Sequence, residues 1–123
     1  MQPRLLKHPA RLAGASLLRL QDDTRLVALA REGHDPAFAA IVDRYGPQLQ
    51  RYCARLLNDS HPSRAEDAVQ QAFVNAHAAM KTSEQELALK PWLYRIAHNA
   101  ALNVLRAGKD ESMALDEDRA GAT

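Results

Sequence analysis

Cysteine is nearly absent from this chain, which has Cys53 as its single cysteine among 123 residues. One cysteine cannot build an internal disulfide framework or a multi-cysteine zinc site. It also fits a reducing compartment such as the cytoplasm. The five histidines are scattered, and no two of them are four residues apart, which disfavours a metal site. We therefore predict no metal and no cofactor.

Glycine, proline and long apolar runs are also scarce. The chain holds 5 Gly and 6 Pro, too few for a collagen-like or low-complexity protein. No apolar run approaches the roughly 18–20 residues of a membrane-spanning helix. Charged side chains interrupt the first 20 residues too often for a secretory signal. No Gly-rich phosphate loop, Ser/His/Asp arrangement or carboxylate pair stands out, so no catalytic residue is predicted.

The chain also has no large excess of either charge, and its net charge is only +1. The charges are nevertheless unevenly distributed, with a basic N-terminal segment and an acidic C-terminal segment. Residues 1–20 carry four basic groups and no acid, whereas residues 110–123 carry five acids and one arginine. A near-neutral body excludes nucleic-acid binding through bulk charge alone, so that any such binding requires a local patch.

What the chain does have is the pattern of a small helical domain. With 46% apolar residues, 123 residues suffice for one core. Alanine and leucine are abundant, and no stretch alternates apolar and polar residues as a strand would. The sequence predicts an all-α fold, a compact bundle of about four helices. The first runs from an N-cap at Asp22–Thr24 to Gly33, and the second opens with Asp35 as N-cap before Pro36.

The remaining boundaries follow from similar signals. Gly46-Pro47 is expected to bend or break the second helix, and residues 58–62 form a loop. A capping box from Ser63 to Glu66 opens a third helix that ends near Ala79. Residues 80–90 form a polar connection, and a last helix runs from Pro91 to Arg106 and ends at Gly108. The acidic tail is predicted to be a linker or disordered.

Two faces can be distinguished on the third helix at 100° per residue. Six apolar side chains form one side: Ala65, Ala68, Val69, Ala72, Phe73 and Ala76. Three polar side chains lie on the other: Asp67, Gln70 and Gln71.

The last helix carries a core stripe and, beside it, a polar stripe. The core stripe consists of Leu93, Ile96, Ala97, Ala100 and Val104. The second stripe includes Trp92, Arg95, Asn99, Asn103 and Arg106. Arginine can pair with phosphate, asparagine can bond a base edge, and tryptophan can stack on an unpaired base. Taken alone, the pattern favours a structural explanation, with Trp92 in the core and the arginines solvated.

Three segments, in order, resemble region 2 of sigma-70 family transcription initiation factors, in particular the extracytoplasmic-function (ECF) group. The segment from Pro91 to Asn103 is similar to the promoter-binding motif. The segment from Ala65 to Phe73 resembles the preceding helix, with its Asp-x-x-Gln-x-x-Phe pattern at Asp67, Gln70 and Phe73. The segment from Asp35 to Tyr45 resembles the opening helices.

The resemblance implies partners and roles. Asp67, Gln70 and Gln71 would dock on the β′ clamp helices of RNA polymerase, whereas Phe73 would be core. The stripe of Trp92, Arg95, Asn99, Asn103 and Arg106 would contact the partly single-stranded −10 promoter element. In the family, a non-template base flips into a protein pocket. Residues 80–90 lie where the base-specificity loop is expected, but Glu84 and Glu86 would repel phosphate.

The resemblance covers residues 22–107 and implies a bacterial cytoplasmic protein without enzymatic activity or membrane contact. Residues 1–21 are expected to be a flexible or amphipathic leader. Residues 108–123 are expected to be a linker, and the second domain of such factors, region 4, is absent from this sequence. An anti-sigma factor is a further candidate partner. A helical module that binds only protein and a small helical enzyme remain as alternatives.

Overall fold

Helices account for most of the chain in the computed structural model, which describes residues 17–58 and 62–121, with side chains in 17–58 and 63–108. Within these ranges residues 17–19 are helical, and four longer helices follow: α1 Asp23–Arg31, α2 Asp35–Leu56, α3 Pro62–Thr82 and α4 Leu89–Gly121. No strand occurs in these ranges, which confirms the all-α bundle of about four helices. Residues 1–16, most of the predicted leader, lie outside the described residues. No helix in the described ranges has the length and apolar character needed to cross a bilayer.

The ends of α1 are the ones that the sequence predicted. The Asp22 side chain accepts a hydrogen bond of 2.9 Å from the backbone N–H of Arg25, which satisfies one of the free amides of the first turn. Gly33 follows the helix with φ of +91°, a left-handed conformation that costs glycine little because it has no Cβ. These two local signals therefore define α1.

The second helix differs from the prediction at two points. Its N-cap is His34, which makes no side-chain capping bond, so Asp35 is the first helical residue and not the cap. The helix also continues through Gly46 and Pro47, so a break at these residues is wrong. Glycine at position 46 removes the Cβ that would clash with the proline ring, and the Gln48 side chain donates to the Arg44 carbonyl at 3.4 Å.

The boundaries of the last two helices correct further expectations. Helix α3 begins at Pro62, so Ser63 lies in its first turn and is not the cap of a capping box, and it ends at Thr82. Helix α4 begins at Leu89, two residues before Pro91. The connection between α3 and α4 is therefore residues 83–88 and not the predicted residues 80–90. Met80 and Leu89, at the two ends of the predicted connection, are buried in the core as parts of the helices.

Helix α4 does not end at Gly108, where the sequence predicted a stop, but continues to Gly121. The predicted linker is therefore helical as far as Gly121, and its side chains lie outside the described residues. Residues 109–117 contain Lys, Glu, Met, Ala and Leu, which favour helix. Glycine is tolerated inside the helix at position 108, where a Cβ would stand 3.1 Å from Nη1 of Arg64.

The core lies where all four helices meet. Its largest fully buried side chains come from each of them: Leu26, Ile41, Leu49, Cys53, Met80 and Leu93. Helices α3 and α4 pack on each other, and each buries a run of alanines, which we call the alanine seam: Ala65, Ala68, Ala72 and Ala76 on α3, and Ala97, Ala100 and Ala101 on α4. Burial of Phe73 confirms its predicted core position. Ile96 and Val104 are only half-buried, whereas Ala101 was not predicted to be core.

A polar cluster ties the start of the described chain to α2. Arg44 donates to Oδ1 of Asp23 at 2.9 Å and to the carbonyls of Arg19 and Gln21 at 2.9 and 2.6 Å. The Tyr45 hydroxyl donates to Oδ2 of Asp23 at 2.5 Å. Asp23 is the first residue of α1, where a carboxylate is favoured by the helix dipole, so the cluster fixes α1 on α2.

Candidate nucleic-acid interface and docking face

The predicted polar stripe of α4 lies on the surface. Four of its side chains are exposed: Arg95, Asn99, Asn103 and Arg106. Trp92 is half-buried and packs against the core with part of its ring open. From Trp92 to Arg106 the stripe extends about 21 Å at 1.5 Å per residue. The expectation that these five residues share one accessible face agrees with the structure, and their roles stay predictions.

A cleft of about 300 Å³ adjoins this stripe. It lies between the loop of residues 83–88 and the start of α4. Trp92 and Arg95 line it from α4, and loop residues supply a hydroxyl, an amide and a carboxylate. Its full lining is Ala79, Ser83, Gln85, Glu86, Leu87, Ala88, Pro91, Trp92 and Arg95. The resemblance implied a base pocket formed by this loop and the last helix, and a cleft is found between them, although no feature of the sequence indicates its lining.

The first turn of α4 offers few free amides. The Trp92 N–H is hydrogen-bonded to the Ala88 carbonyl at 3.2 Å, and Pro91 has no N–H. Only the amides of Leu89 and Lys90 precede them in the helix. An anion at this end would therefore depend on the Arg95 side chain more than on the backbone.

A second polar layer, between α2 and α4, sets the rotation of α4. The Tyr52 hydroxyl lies 3.0 Å from Nδ1 of His98, and the Tyr94 hydroxyl donates to Oε1 of Gln48 at 3.3 Å. The rings of Tyr52 and Tyr94 pack edge to face with centroids 5.0 Å apart. Because this layer lies beside the core stripe, it holds the opposite side of α4 toward solvent.

The predicted docking residues share one face of α3. Asp67, Gln70 and Gln71 are all exposed, and Val74 lies among them with 63% of its surface accessible. Gln71 donates to the Asn75 side chain at 2.9 Å, one turn further along. The face thus has an apolar centre with polar groups around it, a composition common in protein interfaces.

Cys53, the single cysteine of the chain, is buried in the core. Burial raises the pKa of the Cys53 thiol, which therefore stays protonated and unreactive. Among residues 17–58 and 63–108, no group of three or more His, Cys, Asp or Glu side chains could hold a metal ion.

Comparison with known proteins matches the part of the chain that contains the α3 face and the α4 stripe. The family model for sigma-70 region 2 matches residues 41–111. The chain is 35% identical over 91 residues to the ECF RNA polymerase sigma factor SigW of Bacillus subtilis, covering 74% of this chain and 47% of that protein. It is 38% identical over 86 residues to the ECF RNA polymerase sigma-E factor of Escherichia coli K12, covering 69% of this chain and 43% of that protein.

A third relative is the ECF RNA polymerase sigma factor SigM of Mycobacterium tuberculosis, 35% identical over 98 residues, which covers 80% of this chain and 49% of SigM. The chain thus spans about half the length of the curated relatives it matches. No solved structure matches it significantly.

Proposed function

The chain belongs to the sigma-70 region 2 family, and from this premise we propose that it docks on RNA polymerase and helps to recognise and melt the −10 promoter element. The observation that carries the proposal is the exposed stripe of α4, which begins at a half-buried tryptophan beside a cleft. No bulk positive charge supports DNA binding in this chain, so a local patch has to provide it.

The stripe supplies the groups that opened DNA requires. Arg95 and Arg106 are exposed cations on one side of α4, suited to backbone phosphates. Asn99 and Asn103, between them, can bond a base edge or the backbone. Trp92, at one end, supports the edge of the opened duplex by stacking.

The cleft is the place for an unpaired base. Its volume of about 300 Å³ is at the lower end for ligand sites, which suits one planar ring and not a larger ligand. Ser83 and Gln85 offer hydrogen-bonding groups, and the Glu86 carboxylate can accept from a base amine. Glu86 would repel a phosphate, so the backbone of the strand passes on the Arg95 side and only the base enters.

The partner of the α3 face is the RNA polymerase core, through the coiled coil of its β′ clamp helices. Asp67, Gln70 and Gln71 surround exposed Val74, and each is free to contact a second chain without disturbing the core behind it. An anti-sigma factor would compete for exposed surfaces of this kind.

Promoter melting by a holoenzyme carrying this chain tests the DNA interface, with permanganate footprinting of melted thymines as readout. Arg95→Ala should weaken opening on all promoter variants and lower the salt slope by about one unit. Asn99→Ala should cost about 1–3 kcal/mol on the preferred sequence and less on mismatched ones. Arg55→Ala, an exposed arginine on α2, is the matched control. Wild-type melting by both α4 variants would refute the assignment.

Titration with a β′ coiled-coil fragment tests the docking face. Asp67→Arg should weaken binding while circular dichroism stays helical. Glu32→Arg makes the same charge change at an exposed position that follows α1 and should bind as wild type does. Equal affinity for both variants would exclude Asp67 from the interface. Docking without promoter melting would instead favour a module that binds only protein.

A further inference from the structure

Arg31, in the last turn of α1, reaches across the fold to the loop beside the cleft. Its Nε donates to the Met80 carbonyl at 3.3 Å, and its Nη2 donates to the Gln85 carbonyl at 2.6 Å. These acceptors lie 49 and 54 residues further along the chain. The guanidinium thus joins the last turn of α3 to the loop of residues 83–88.

The acceptors explain why an arginine is suited to this position. Met80 is among the last four residues of α3, whose carbonyls lack partners further along the helix and carry the negative end of its dipole. Gln85 lies in the loop, where its carbonyl needs a donor from elsewhere. Because the guanidinium is planar, always charged and rich in donors, it can serve both carbonyls at once.

Little else in the described part of the chain fixes this loop. Within the loop, the Gln85 N–H donates to the Ser83 hydroxyl at 3.3 Å, a local contact. Leu87 packs against the core and Leu89 is buried, which secures the end of the loop next to α4. Apart from the hydrogen bond from the Trp92 N–H of α4 to the Ala88 carbonyl, the bond from Arg31 is the one in the described ranges that connects residues 83–88 to a helix. Gln85 and its neighbour Glu86 line the cleft opposite Trp92 and Arg95.

We propose that Arg31 is a positioning residue: by bridging the Met80 and Gln85 carbonyls it holds the loop of residues 83–88 in place and sets the width of the cleft beside Trp92. Its effect on base selection rests on the proposed function, because Arg31 does not itself line the cleft. Its effect on the loop is independent of DNA and can be measured on the chain alone.

The first measurement uses Trp92, the single tryptophan of the chain, which lines the cleft. In Arg31→Ala, acrylamide should quench Trp92 fluorescence more strongly than in wild type, because the loop that lines the cleft together with Trp92 is no longer held in place. Loss of two charge-assisted hydrogen bonds should raise amide exchange in the loop on the order of ten-fold. The Gln85 amide reports this opening directly.

Three further variants separate positioning from general stability. Arg31→Lys keeps the charge at the end of α3 but has no planar fork, so it should restore Trp92 protection only in part. Arg31→Gln serves if the alanine variant does not fold. Arg25→Ala removes an exposed arginine from the same helix and should match wild type. Unchanged quenching and loop exchange in folded Arg31→Ala would overturn the proposal.

The second measurement addresses base selection. The chain, bound to core polymerase, is titrated with single-stranded oligonucleotides that carry each of the four bases at successive positions. Where wild type discriminates between bases, Arg31→Ala should reduce the affinity ratio toward one while binding to polymerase stays unchanged. Unchanged ratios would overturn the proposed role. If wild type discriminates at no position, the base-binding function fails, and the fluorescence and exchange results alone decide the role of Arg31.

Discussion

Replacing Tyr45 by phenylalanine should change how the stability of this fold depends on pH. The Tyr45 side chain is only 6% exposed, and its hydroxyl donates to Asp23. Burial, followed by the hydrogen bond to Asp23 and the charge of that carboxylate, raises the pKa of Tyr45 from 10.0 to about 12. All three causes disfavour the tyrosinate, and the nearby Arg44 opposes them only in part.

The sign of the effect follows from the direction of this pKa shift. A group whose pKa is higher in the folded state stabilises the fold fully below its unfolded pKa. That contribution is lost as pH rises through the folded pKa. For Tyr45 the loss should fall between pH 10 and about pH 12. A rise of the Tyr45 pKa from 10.0 to about 12 corresponds to about 2.7 kcal/mol of folding free energy, which is an upper limit on the contribution. Since the Asp23 side chain is 34% exposed, screening by solvent should reduce it to about 1–2 kcal/mol.

Urea unfolding followed by circular dichroism, at neutral pH and between pH 10 and pH 12, measures this contribution. At neutral pH, Tyr45→Phe should be less stable by about 1–2 kcal/mol, because Asp23 loses one donor but keeps Arg44. The two stability curves should converge as pH rises. Tyr52→Phe, which removes the hydroxyl next to His98, serves as control and should retain the alkaline loss. Curves for wild type and Tyr45→Phe that stay parallel would refute the reasoning.

The remaining predictions concern two glycines, the core and duplex DNA. Gly33→Ala should destabilise the fold by about 1–2 kcal/mol in thermal unfolding, because φ is +91° there. Gly108→Ala should instead raise helix stability by about 0.5–1 kcal/mol, because only the flexible end of Arg64 must move; a loss would mean that this guanidinium is fixed. Leu93→Ala, at a fully buried site, should cost about 2–5 kcal/mol in urea unfolding, and a cost near zero would place Leu93 outside the core. With a net charge of +1, the free chain should bind duplex DNA weakly, which tight, salt-insensitive binding in a titration would contradict.

Features that depend on neighbouring residues could be predicted from the sequence. The cap at Asp22 and the left-handed Gly33 each act within one helical turn, and both are as predicted. The exposed stripe of α4 and the exposed face of α3 follow from 3.6-residue spacing, which places polar side chains opposite the buried ones. Burial of Met80, four residues after Ala76, continues the same period and could have extended α3 beyond Ala79.

Features that depend on distant residues could not be predicted in this way. Gly108 has the local signature of a helix end, and only the structure shows Arg64 beside it. Pro47 has the signature of a break, yet the helix continues because Gly46 leaves space for the proline ring. Arg31 gives no local signal at all, since its acceptors are 49 and 54 residues away.

The alanine seam has a consequence for how the two proposed surfaces are spaced. Methyl groups on Ala68, Ala72 and Ala97 are fully buried, so a larger side chain at any of these positions would have to displace its neighbours. Steric exclusion by these small side chains therefore sets the spacing between the exposed face of α3 and the polar stripe of α4. Methyl groups neither ionise nor attract counterions. Changes of pH or salt that weaken binding at either surface would thus leave the spacing between the two surfaces unaltered.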